Sequence, residues 1–165
     1  MKNIILIGMP GAGKSTVGVI LAKTLAMTFV DTDIAIQERA GRLLQEIIDS
    51  EGPDAFLATE EETVLSLHCR NSVIATGGSV VFSKKAMDHL KKDGVIVYLK
   101  ISRDEMVRRL KNITARGIVL FKGESLSDMY RERVPLYEKS ADITVDCEGE
   151  DFEEVVGKVT GEIGG

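Results

Sequence analysis

Two cysteines, two histidines and three prolines are all the chain carries of those residues, tryptophan is absent, and no apolar run is long enough to cross a bilayer. Cys69 and Cys147 lie far apart without metal-type spacing, and His68 and His89 do not complete a ligand set, which argues against a zinc module. His68 beside Cys69 reads as an incidental histidine next to a reduced, partly buried cysteine. A basic excess is also missing: 21 Lys and Arg face 26 Asp and Glu, for a net charge of −5. That excludes a nucleic-acid footprint, which needs clustered positive charge, so any bound anion must be held by local devices. The opening run "NIILI" is cut short by Gly8 and Pro10, too soon for a signal peptide or a membrane span. A cytoplasmic protein is expected, with no membrane partner. Internal repeats, linkers and low-complexity tracts are absent.

What is present is an alternation. In 165 residues, 44% of them hydrophobic, one domain over residues 1–165 with a single substantial core is expected. Short runs rich in Val and Ile at 3–7, 28–30, 72–76, 95–99 and 142–145 read as strands buried on both faces. Between them lie helical patterns at 14–26, 34–50 (broken near Gly41), 53–69, 83–92, 102–110, 125–139 and 151–163. "SRDE" from Ser102 has the form of a capping box. Five parallel strands with helical crossovers make an α/β, doubly wound sheet, whose ligands bind beyond the carboxyl ends of the strands. The segment 112–124, "NITARGIVLFKGE", fits neither pattern and is either a lid or a surface excursion.

"GMPGAGKST" from Gly8 to Thr16 matches G-x-x-x-x-G-K-[ST] directly between a strand and a helix. Gly8, Gly11 and Gly13 allow the backbone to turn its N–H groups onto phosphate oxygens, Lys14 can bridge the β- and γ-phosphates, and Ser15 can offer its hydroxyl to Mg²⁺. A bare glycine-rich turn is the bland alternative, and the full match in context disfavours it. "VDTD" then places Asp31 and Asp33 at a strand's carboxyl end, where they either support a metal's water shell and an acceptor hydroxyl or cap the next helix. "ATGGS" offers Gly77 and Gly78 at another strand end. Arg108, Arg109, Arg116, Arg131 and Arg133 surround the irregular segment, and a guanidinium there suits a phosphoryl group in transit or a substrate carboxylate.

Taken in order, "GMPGAGKSTVG", "DTD", "ATGG", the arginine of the 112–124 segment and "RVPLYEKSAD" resemble the shikimate kinase family from residue 2 to about Asp146. The resemblance implies a fold like that of nucleoside monophosphate kinases, sheet order 2-3-1-4-5, and transfer of the ATP γ-phosphate to the 3-hydroxyl of shikimate. It implies ATP contacts from Gly11, Ala12, Gly13, Lys14, Ser15 and Thr16, adenine packing on Arg109, and Mg²⁺ held by Ser15 with Asp31 acting through water. Catalysis would fall to Lys14, Asp33 and a lid-borne Arg116, and the acceptor to Asp33, Gly77, Gly78 and Arg133. A monomer acting on a small molecule is expected.

Three positions depart from the pattern. The family's F-R-x-x-E is "FLATE" here, so Leu57 stands where an arginine meets the shikimate carboxylate, leaving Glu60 without that neighbour. The third glycine of Gly-Gly-Gly is Ser79, and the lid's R-P-L-L is "RGIVL", with Gly117 for Pro. A charge-assisted contact contributes roughly 1.5–3 kcal/mol, so its loss weakens carboxylate binding at that place about tenfold or more. Two alternatives follow: a paralogue on the same scaffold that phosphorylates another small hydroxylated metabolite, and a nucleotide-binding regulatory module with little turnover.

Overall fold

The computed structural model describes residues 2–111 and 118–164. Five strands, β1 (Asn3–Ile7), β2 (Thr28–Asp31), β3 (Ser72–Ala75), β4 (Gly94–Lys100) and β5 (Ile143–Asp146), form one sheet in the order β2-β3-β1-β4-β5. Every pairing is parallel, with Ile4 opposite both Val73 and Val95. Both faces of such a sheet must be covered, which is why β1 is buried along its whole length.

Helices α1 (Lys14–Leu25) and α8 (Phe152–Gly164) pack together on one side, and α4 (Pro53–Ser66) and α5 (Lys84–Lys92) on the other, as right-handed crossovers require. The remaining helices are α2 (Thr32–Ala40), α3 (Leu44–Glu51), α6 (Arg103–Lys111) and α7 (Leu126–Ser140). The expected 34–50 helix is two, because Gly41 takes φ +69° and closes α2 on the carbonyl of Gln37. A short 3-10 turn, Val80–Phe82, was not anticipated.

The cap at Ser102 is only half a box. Its Oγ accepts from the Glu105 amide, but its own amide donates to Glu148, because the Glu105 carboxylate is taken by Arg108 and Arg109. Ser125 and Asp128 do form a reciprocal box at the start of α7.

One large apolar cluster surrounds the sheet, and a small second cluster, Ile36, Leu44, Ile47, Ile48, Phe56 and Val119, joins α2, α3 and α4 to the end of the irregular segment. Residues 118–121 are therefore packed rather than a free excursion: Val119 is buried and Phe121 stacks edge-on to Phe82. Among the described residues no helix is long and apolar enough to cross a membrane.

Candidate active site

The carboxyl ends of β1, β2 and β3 open into a cavity of about 590 Å³. From β1 comes the phosphate loop. Gly11 and Gly13 take φ +82° and +91°, a left-handed turn open to glycine, and the loop runs straight into α1. Lys14 is 8% exposed, its Nζ donating to the carbonyls of Gly8 (2.7 Å) and Met9 (2.8 Å), which holds the ammonium across the loop's mouth. Loop carbonyl Gly11 accepts from Arg109 Nη1 at 2.8 Å, and Arg109 Nε donates to Glu105. On the far side, a Cβ on Gly13 would sit 2.7 Å from the ring of Phe152. That ring is 42% exposed, an unusual position for phenylalanine, and it lines the cavity opposite Arg109.

From β2 comes Asp31. One oxygen caps α2 through the amides of Asp33 and Ile34, and the other accepts from Ser15 Oγ at 2.8 Å. The capping and metal-supporting roles weighed for Asp31 are thus compatible in one carboxylate. Ser15 and Asp31 give a hard-oxygen pair suited to a Mg²⁺ that keeps its waters and is otherwise held by phosphate. No cluster of three His, Cys, Asp or Glu that could hold a metal exists among the described residues.

From β3 comes a further wall of the cavity, Thr76 to Ser79. Thr76 Oγ1 ties back to the Leu6 carbonyl and the Gly77 amide donates to Thr32 Oγ1, which pins the two glycines. A Cβ on Gly77 would lie 2.8 Å from Asp33 Oδ1 and 2.9 Å from Glu60 Oε2, so only glycine leaves that spot free. Arg133 and Tyr137 lie one turn apart on α7 and both face inward. Arg133, 1% exposed, donates from Nη2 to the Val119 carbonyl and lies 5.2 Å over the Phe82 ring, while Tyr137 donates to the Gly78 carbonyl at 2.6 Å.

Glu60 is buried because α4 turns Phe56, Glu60, Thr63 and Val64 along a single stripe onto the protein. Its Oε1 accepts from Ser79 Oγ at 2.8 Å, and its Oε2 has no hydrogen-bond partner among the described residues. Burial pushes its carboxyl up from 4.5 to about 7, with Asp33 adding to the rise and Ser79, Arg133 and Lys14 opposing it.

The cavity thus gathers Gly11, Gly13, Lys14, Ser15, Thr16, Asp33, Gly77, Gly78, Arg109 and Arg133 from the sequence-based set. Ala12 and Asp31 do not line it, though Asp31 accepts from Ser15, which does. Leu57 is not on it: one residue beyond Phe56, about 100° around the helix, it packs against the second apolar cluster. Arg116 and Gly117 lie outside the described residues. Glu60, expected without its arginine neighbour, has Ser79 as the partner of Oε1, while Oε2 has none among the described residues. Its neighbour Glu61 accepts from Ser83 Oγ at 2.6 Å. Phe56, Glu105, Phe152 and Val119 escaped the sequence reading, having no local motif. Cys69 is a free, half-buried thiol, and His68 rests edge-on against His89.

Residues 10–163 match the family model described as shikimate kinase. The chain belongs to the shikimate kinase family. Among its relatives, the shikimate kinase of Thermodesulfovibrio yellowstonii is 42% identical over 162 residues, covering 96% of this chain and 93% of that protein. The shikimate kinase of Pasteurella multocida is 40% identical over 148 residues, 87% of this chain and 85% of its own. Of solved structures, the Acinetobacter baumannii shikimate kinase in complex with shikimate superposes with a TM-score of 0.89 at 28% identity, covering 99% of this chain and 93% of its own. The Aquifex aeolicus enzyme gives 0.82 at 31% identity, covering 99% of both chains. This family member is accordingly a small-molecule kinase, a transferase that phosphorylates a hydroxyl group, built on the P-loop kinase fold.

Proposed function

We propose that this kinase transfers the γ-phosphoryl group of ATP, with Mg²⁺, to the 3-hydroxyl of shikimate in aromatic amino-acid biosynthesis. The observation that carries the reading is the meeting of a complete phosphate loop with Asp33, Gly77, Gly78 and Arg133 in one cavity, in a chain whose relatives are named shikimate kinases. The loop amides and the start of α1 receive the β-phosphate, and Gly11, Ala12, Gly13 and Thr16 shape that cradle. Lys14 leaves its two loop carbonyls for the β- and γ-oxygens, where it offsets charge as the bond breaks. Ser15, with Asp31 acting through water, would hold the Mg²⁺, which would supply further charge neutralisation. Arg109 and Phe152 flank the place for the nucleobase.

At the acceptor end Asp33 receives the attacking hydroxyl and orients it in line, and Arg133 pairs with the carboxylate from within the wall. The segment 112–124 closes as a lid, with Arg116 over the phosphates, excluding water that would otherwise hydrolyse the donor. The protein acts as a cytoplasmic monomer.

One observation favours a second reading, the paralogue with another hydroxylated acceptor: Leu57 faces an apolar cluster and supplies no carboxylate contact. Coupled ADP release with purified protein, ATP and Mg²⁺ separates the two. Turnover on shikimate at sub-millimolar concentration is expected; turnover only on other polyols or hydroxy acids establishes the paralogue. ATP binding with no acceptor-stimulated release on any of them establishes a regulatory module instead.

A further inference from the structure

Gly77 and Gly78 form the strip of cavity wall between Asp33 and the phosphate loop, and α7 reaches that strip with a side chain that does not line the cavity. Tyr137 is fully buried and donates its hydroxyl to the Gly78 carbonyl at 2.6 Å. Around Gly78 there is no slack: a Cβ there would lie 2.8 Å from Pro10 Cδ, in the phosphate loop, and 3.2 Å from Arg133 Nη1. The residue is wedged between the loop and the arginine, and the hydroxyl fixes its carbonyl. Two neighbours hold the tyrosine in turn. Its ring stacks on Tyr98 with 5.1 Å between centroids, and Arg133 lies one turn earlier on the same helix. Burial pushes the titration of its hydroxyl up, with the Arg133 guanidinium opposing, so the group stays a donor at any working pH.

We infer that Tyr137 is a positioning residue for the phosphoryl transfer: through the Gly78 carbonyl it sets the separation between the phosphate loop and the hydroxyl held at Asp33. In-line transfer depends steeply on that separation, a misplacement of about 1 Å costing about a hundredfold in rate, whereas the binding of either substrate alone depends on it little. The inference deepens the proposed function and rests on its placement of the donor at Lys14 and the acceptor at Asp33.

The test uses Tyr137→Phe, which keeps the stacked ring and removes only the hydroxyl. Tyr98→Phe is its match, because the Tyr98 hydroxyl belongs to an equally buried ring of the same stack and has no hydrogen-bond partner among the described residues. Coupled ADP release gives kcat and the KM for ATP and for shikimate, and the same assay without acceptor gives hydrolysis by water. In Tyr137→Phe, kcat with shikimate falls about tenfold to a hundredfold, while both KM values and the acceptor-free rate stay within about threefold. A general loss of structure would instead lower the two rates together. Tyr98→Phe keeps the wild-type values throughout. Should Tyr137→Phe fail to fold, Gly78→Ala, whose methyl would press on Pro10, shifts the same strip and gives the same split. An unchanged kcat, a loss carried by KM, an equal fall without acceptor, or an equal fall in Tyr98→Phe overturns the positioning role and leaves the proposed function standing. A wild type that releases no ADP with shikimate overturns the proposed acceptor instead, and the same variants are then compared on whichever member of a polyol panel drives turnover. Turnover on no acceptor overturns both.

Discussion

Replacing Glu60 by glutamine changes how stability depends on pH, and the size of the effect follows from burial. A glutamate titrates near 4.5 in the unfolded chain, whereas in the fold its carboxyl is held up at about 7, chiefly because α4 buries it. Below pH 4.5 both states are protonated and the residue carries no penalty. As pH rises from 4.5 towards 7 the unfolded chain ionises first, so folding requires a proton to be kept, and stability falls. Above 7 both states are ionised and the full penalty is present. One pH unit of displacement corresponds to about 1.4 kcal/mol, so the total is roughly 3 kcal/mol. Glutamine keeps an oxygen for Ser79 Oγ and cannot ionise, so the variant lacks this slope. Urea unfolding of both proteins at intervals from pH 4.5 to 8 measures it, and titrations far from Glu60 cancel in the difference, leaving Glu60 and its coupled neighbour Asp33. The variant's stability relative to wild type should climb by about 3 kcal/mol across that range, most of it before pH 7. A difference that stays flat with pH refutes the reasoning, for it would mean that water reaches Oε2 and the carboxylate is ionised throughout.

Four further outcomes are expected. Lys14→Ala should lower kcat about a hundredfold or more in the ADP-release assay, through lost charge stabilisation at the transferring group; near-normal turnover contradicts the role. Leu57→Arg should lower KM for shikimate about tenfold by reinstating a guanidinium at the edge of the acceptor end, and an unchanged or higher KM means the side chain stays turned to the second apolar cluster. Phe152→Ala should raise KM for ATP about threefold to tenfold, in keeping with the stacking energy of one aromatic ring, with KM for the acceptor unaltered. Ser125→Ala removes one half of the reciprocal cap on α7 and should lower unfolding stability by about 1 kcal/mol in urea, with a normal KM for ATP.

The family itself rests on a model spanning residues 10–163, and much of its scaffold is written locally. A phosphate loop needs glycine at turns of positive φ, a lysine and a hydroxyl in fixed order, all within nine residues, so "GMPGAGKST" is readable without knowing what lies around it. Strands buried on both faces need unbroken Val and Ile, and Asp31 at a strand end must either cap a helix or face the loop; it does both. Other features depended on what the chain brings back from a distance. The family pattern singles out Glu60 among the three glutamates of "FLATEEE" by its place, but nothing in the stretch says whether it is buried. Only the packing of α4 buries one of the three, and only the turn after β3 brings Ser79 to it. Arg133 was named by the family resemblance, but its burial against Val119 and Phe82 came only from the packing of α7, and Phe152 acquires meaning only by closing on Gly13 across the whole sequence. Backbone conformation and apolar periodicity are properties of neighbouring residues, so the sequence alone determined the fold and the donor end. Burial of a polar group, and therefore its charge and its partners, is a property of what is packed against it, so the buried states of Glu60 and Arg133 were decided by the tertiary structure.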